Sequence, residues 1–138
     1  MGVLSPRRIR IRGERLNWYW LPWSLLALFI IVGSAGRWAP YEPGIWAPTL
    51  INPKDVARNV ALYVPFGLFG VLALGHTGWR GIARVTALAL IFSAANEAVQ
   101  LYTVDRVASV TDIASAVVGT VAGAALAAVF VKPRYSDA

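Results

Sequence analysis

Seven residues, Asp55, Arg58, Asn59, Glu97, Gln100, Arg106 and Asp112, carry the chemistry legible in this chain. They sit at or inside the edges of apolar stretches long enough to cross a bilayer. An ionisable group there costs about 2.5–3.5 kcal/mol on insertion scales, so it faces a protein interior or a cavity. Asp55, Arg58 and Asn59 are spaced by three and four, as are Ser93, Asn96, Glu97 and Gln100, which puts each set on one helical face. The two arginines offer charge-assisted, bidentate contacts to a phosphate or carboxylate. Glu97, Asp112, Gln100 and Asn59 then suit the hydroxyl or amide groups of a lipid-linked glycan head. Glu97 and Asp112 are also the catalytic candidates, Glu97 as general acid or base and Asp112 orienting a partner. Two carboxylates with two amides match a hard cation in type, but the spacing is not diagnostic, and no metal or cofactor is assigned.

A purely structural use of the same residues has equal standing. Ion pairs between Glu97 and Arg106, or Asp112 and Arg58, neutralise each other and fix helix register. Asp112 suits the cap of a helix N-terminus, as Asp55 and Asn59 do. Glu42, Lys54 and Asp105 read as solvated loop charges, and His76, the single histidine, as an interfacial loop residue.

The elements that must position these groups follow from composition. Of 138 residues, 57% are hydrophobic and 14% charged, against about a quarter charged in a soluble domain. There is no cysteine, so disulfides, thiol catalysis and thiolate metal sites are excluded, and one histidine makes neither a triad nor a histidine metal centre. Four apolar segments, roughly 19–36, 56–74, 82–102 and 110–131, each approach the ~20 residues that cross ~30 Å of hydrocarbon as a helix. The expected fold is all-α: an integral membrane four-helix bundle, a single domain over 1–138 with a basic N-terminal segment at 1–18. Pro65 predicts a kink within the second span. Ser115, Gly119, Gly123 and Ala127 form a small-residue ridge that permits close helix packing.

Charge sets the expected orientation. With four spans, both termini and the 75–81 connection share one side. Arg7, Arg8, Arg10, Arg12, Arg15, Arg80, Arg84, Lys132 and Arg134 lie there, against Arg37, Lys54, Arg58 and Arg106 opposite. The positive-inside rule puts both termini in the cytoplasm, so the seven polar residues gather at the outer ends of spans two, three and four. Trp18, Trp20, Trp23 and Trp79 then flank the inner interface, and Trp38 and Trp46 the outer one. The net charge of +6 clusters beside apolar runs, which suits an anionic lipid leaflet and not nucleic acid. The N-terminus, with Gly33-Ser34-Ala35 after its apolar run, resembles a cleavable signal peptide, but that run is long and Trp-rich and is read as a retained span.

The stretch DVARNVALYVPFG (Asp55–Gly67), NEAVQ (Asn96–Gln100), Arg106 and TDIASAVVG (Thr111–Gly119) resemble the VanZ family over about the last two-thirds of the chain. Its pattern runs from an Asp and an Asn before an aromatic-x-Pro-Phe-Gly, through an acidic-then-Gln pair and an Arg, to an Asp opening a helix. Ser115 stands where many relatives carry Asn. The resemblance implies a multi-pass protein of the bacterial cytoplasmic (inner) membrane, in a family whose founding member is associated with low-level teicoplanin resistance. It points to an outer-facing polar pocket that alters susceptibility to lipidated glycopeptides by binding a lipid or glycoconjugate head group. The alternatives are an intramembrane enzyme acting on a lipid-linked envelope substrate and a structural or assembly subunit; the oligomeric state is left open. The topology is directly checkable. A reporter that matures only in the cytoplasm is expected to be active at either terminus and silent in the 103–108 connection, and the reverse pattern would invert the bundle.

Overall fold

Asn52 decides where the second apolar run becomes helix. Its Oδ1 accepts from the Lys54 N–H at 3.1 Å, and Pro53 at the first helical position has no N–H left to satisfy. α2 (Pro53–Leu74) therefore begins three residues before the apolar run expected at 56, and it ends on Gly75, in the left-handed conformation at φ 73°. It is followed by α3 (Trp79–Gln100) and α4 (Val110–Phe130), and preceded by α1 (Trp20–Ser34). The computed structural model describes residues 8–11, 14–34, 36–37, 45–46, 52–76 and 78–130. Arg7, Arg12, Ala35, Trp38, Glu42, Lys132 and Arg134, all used in reading the sequence, lie outside the described residues.

The all-α expectation holds, and α2, α3 and α4 are long and apolar enough to cross a membrane. The first span is shorter than the expected 19–36. α1 has 15 residues, about 22 Å of helix against about 30 Å of hydrocarbon. At its start, the Tyr19 N–H donates to Asn17 Oδ1 at 3.2 Å in a turn. At its end, the Ser34 hydroxyl bends back to the Ile30 carbonyl at 2.7 Å, a local bond that competes with helix continuation. Pro65 lies within a continuous α2. Two small strand pairings were not anticipated: β1 (Arg8–Ile11) with β2 (Glu14–Asn17), antiparallel, and β3 (Ile45–Trp46) with β4 (Val107–Ala108), parallel. Pairings this short have too few residues to register as a period-two pattern.

α2 and α4 run in the same direction and pack backbone against backbone. A Cβ on Gly123 would meet the Val64 carbonyl, one on Gly67 the Thr120 carbonyl, and one on Gly119 would stand 2.6 Å from the Val60 carbonyl. The Ser115, Gly119, Gly123, Ala127 ridge is buried along this seam. On α3 the buried stripe runs Gly81, Val85, Ala89, Ser93, Glu97 and Gln100, so the polar stripe read from the sequence is the end of an inward-facing face. α1 leans on α2 through Trp23 and Phe66, ring centroids 5.4 Å apart, and Phe66 stacks on Phe92 at 5.7 Å. Large apolar side chains such as Leu21, Leu25, Phe29, Ile91, Val118 and Val129 point outward. Small and polar residues inside with large apolar ones outside is the arrangement expected when lipid is the solvent.

Because the α2–α4 seam has no room for a methyl group at Gly123, Gly123→Ala is expected to lower the thermal stability of the detergent-purified protein, an overpacking cost of about 1–3 kcal/mol. Gly33→Ala, at a position with nothing within 4 Å of an added Cβ, is expected to melt with the wild type.

Candidate functional site

Ser109 is the residue on which the site is assembled. It precedes α4, and its Oγ accepts from the Thr111 N–H at 3.1 Å while its carbonyl accepts from the Asp112 N–H at 3.2 Å. In a capping box the acidic residue three positions on, here Asp112, would take the N–H of Ser109 in return. That N–H is instead donated to Glu97 Oε2 of α3 at 2.7 Å. The cap expected of Asp112 is therefore supplied by Ser109 and Glu97 together, and the Asp112 carboxylate is released from the helix end. The Asn59 amide lies beside it, with Asp55, Arg58 and Arg106 within electrostatic range.

The connection from Leu101 to Ser109 is stitched to the end of α1. Arg106 Nη2 donates to the Gly33 carbonyl at 2.8 Å, a cation on the negative end of a helix. The Arg37 N–H donates to Asp105 Oδ1 at 2.7 Å, and the Val104 N–H to the Arg37 carbonyl at 3.2 Å. Ser34 Oγ and Asn96 Oδ1 are 2.6 Å apart, tying α1 to α3. Between these elements opens a cleft of about 560 Å³. Asp55, Arg58, Asn59, Gln100, Arg106 and Asp112 all line it, so six of the seven residues singled out from the sequence meet in one place.

Glu97 is the exception. It is 4% exposed and lies behind the cleft wall, not in its lining. The expected ion pairs are also different. Among the described residues the ion pair is Asp55–Arg58 at 3.6 Å, between side chains 41% and 50% exposed, and neither Glu97–Arg106 nor Asp112–Arg58 forms one. The reason is geometric: Glu97 Oε2 is held by a backbone N–H and Arg106 is turned to a backbone carbonyl. Gln100 is 7% exposed and lines the cleft, whereas the buried side-chain polar atoms without a partner among the described residues are Trp23 Nε1 and Thr86 Oγ1.

Sequence reasoning missed Ser109, although Ser109-x-x-Asp112 carries the capping pattern that would have flagged it. It also missed α1, whose Phe29, Ile30, Gly33 and Ser34 form one wall, and Asp105, which lines the cleft instead of standing free. No signal in α1 announces this, because its contribution is a carbonyl and apolar surface. Among the described residues no three acidic or histidine side chains cluster as metal ligands.

A family model described as VanZ/LLP1 matches residues 8–131. The chain belongs to the VanZ/LLP1 family. The match takes in α1 and the 37–53 loop, which the motif resemblance had left out, in agreement with the structural part α1 plays in the cleft. Comparison with curated proteins and with solved structures yields no match. VanZ/LLP1 membership and the three long apolar helices together make the chain a multi-pass membrane protein.

The Glu97–Ser109 bond generates a prediction. Glu97→Ala leaves a buried N–H unsatisfied at a cost of about 1–3 kcal/mol, and faster amide hydrogen exchange is expected across residues 107–112. Glu97→Gln keeps an acceptor oxygen, so its exchange should stay nearer to wild type. Equal exchange in all three proteins would show that the bond does not hold the loop.

Proposed function

We propose that this VanZ/LLP1 protein acts in the bacterial cytoplasmic membrane, with both termini inside and the cleft opening at the outer face. There it holds the head group of an envelope lipid or lipid-linked glycoconjugate, and through that contact alters susceptibility to lipidated glycopeptides such as teicoplanin. The observation that carries the reading is the cleft itself, where Asp55, Arg58, Asn59, Gln100, Arg106 and Asp112 line one space of about 560 Å³. Gln100, 7% exposed, offers that cleft an amide that can both donate and accept. Asp112, freed from capping, and Arg106, with one nitrogen on Gly33 and others left to donate, add charged contacts at the same depth. The orientation is supported by the concentration of basic residues on the side opposite the cleft. Teicoplanin is itself lipidated and acts at the outer face of the membrane, where this reading puts the cleft. An enzymatic reading has less support, because Glu97, the natural acid or base, is engaged by Ser109 behind the wall.

The test pairs membrane abundance with teicoplanin susceptibility in a Gram-positive host. The wild type is expected to raise the inhibitory concentration, and Arg106→Ala and Gln100→Ala to remove that protection at unchanged abundance. Each substitution deletes a contact worth about tenfold in affinity. Gln100→Ala is the cleaner variant, since Arg106 also braces α1. A well-expressed wild type that protects nothing would overturn the glycopeptide part of this reading.

A further inference from the structure

The cleft carries charge of both signs over an apolar wall, and this narrows what it takes. Its carboxylates are Asp55, Asp105 and Asp112, and its guanidinium groups Arg58 and Arg106. Asp105 is engaged by the Arg37 N–H. Asp112 is half-buried and forms no ion pair among the described residues; the Asn59 amide bonds to it, and Asp55, Arg58 and Arg106 lie within electrostatic range. Asp55 near the start of α2 and Asp112 near the start of α4 line the same cleft, so a cationic group seated between them would meet both carboxylates. The Asp55–Arg58 pair, at 3.6 Å with both side chains well exposed, is of the kind worth only about 0.2–1 kcal/mol and parts readily for a ligand. Arg106, fixed to Gly33 by Nη2, keeps further N–H groups for an anion. Gln100 supplies a nearly buried amide to the same cleft. Phe29, Ile30 and Leu62 line the same cleft, and Phe29 is 61% exposed, so the apolar wall is continuous with the outer surface of the bundle.

Resting on the head-group reading above, we propose that the ligand is a zwitterionic phospholipid of the phosphoethanolamine type. Its primary ammonium lies between Asp112 and Asp55, its phosphate on Arg106 and Arg58, and its chains leave along Phe29, Ile30 and Leu62. A primary ammonium has three N–H donors for these carboxylates, whereas a trimethylammonium has none.

The experiment is native mass spectrometry of the detergent-purified full chain, titrated with phosphatidylethanolamine, phosphatidylcholine and phosphatidylglycerol of matched chains. Wild type is expected to retain phosphatidylethanolamine about tenfold over the other two, the worth of one charge-assisted contact, and Asp112→Asn to lose that preference. Chainless O-phosphoethanolamine is expected to compete poorly, and equal competition would overturn the assignment to a lipid. Should Asp112→Asn fail to fold, the wild-type comparison of phosphatidylethanolamine with phosphatidylcholine decides alone, and equal retention overturns the ammonium contact. Phosphatidylglycerol held as tightly as phosphatidylethanolamine, and released by Arg106→Ala, would overturn the zwitterion while leaving the head-group reading standing. No lipid held more tightly by wild type than by Arg106→Ala and Gln100→Ala would overturn both.

Discussion

One hydrogen bond organises the charged end of this bundle: the buried Glu97 carboxylate of α3 accepts the backbone N–H of Ser109 at the start of α4. A helix start leaves backbone donors that must find partners, and burial makes an unmet one costly. Satisfying this donor from a neighbouring helix has two consequences. It fixes the end of α3 to the start of α4 across the nine-residue connection between them, 101–109. It also takes over the part Asp112 would play in a capping box, so a carboxylate that would have been local architecture faces the cleft.

The cleft exists because tight packing below it is combined with a gap above. α2 and α4 approach so closely that glycine hydrogens meet carbonyl oxygens across the seam. Such contact is possible only where the residue facing the carbonyl is a glycine without a Cβ, and in a membrane it is van der Waals packing of this sort that holds helices together. The same seam brings Asp55, Arg58 and Asn59 level with Asp112. α1 is too short and too loosely engaged to fill the remaining space, and instead lends its last carbonyls to Arg106. Its few buried positions and its aromatic contact with α2 keep it as one wall.

Membership in the VanZ/LLP1 family accounts for the order of the motifs, and the structure explains why they are spaced as they are. The Asp and Asn of α2, the Glu and Gln of α3, the Arg of the connection and the Asp of α4 belong to one cluster split among four places in the chain. Within it, the labour divides. Glu97 and Ser109 hold the geometry, Arg106 does so in part, and Asp55, Arg58, Asn59, Gln100 and Asp112 present their side chains to the cleft.

The helices and most of the site were legible in the sequence because both depend on local pattern. Apolar runs near twenty residues declare spans whatever their neighbours are, and spacings of three and four put Asp55 with Asn59 and Glu97 with Gln100 on single faces. Membrane helices leave few ways to join such faces, so even the gathering of six cleft residues followed from topology. What the sequence could not determine was the partner of each group. Glu97 and Arg106 looked like an ion pair because opposite charges attract, yet both turned to backbone atoms, an N–H and a carbonyl that no side-chain pattern reveals. The role of α1 was hidden for the same reason, since it offers a carbonyl and bare apolar surface. Sequence determined which residues are costly to leave in lipid, and tertiary structure alone decided which of them the fold satisfies and which face the cleft.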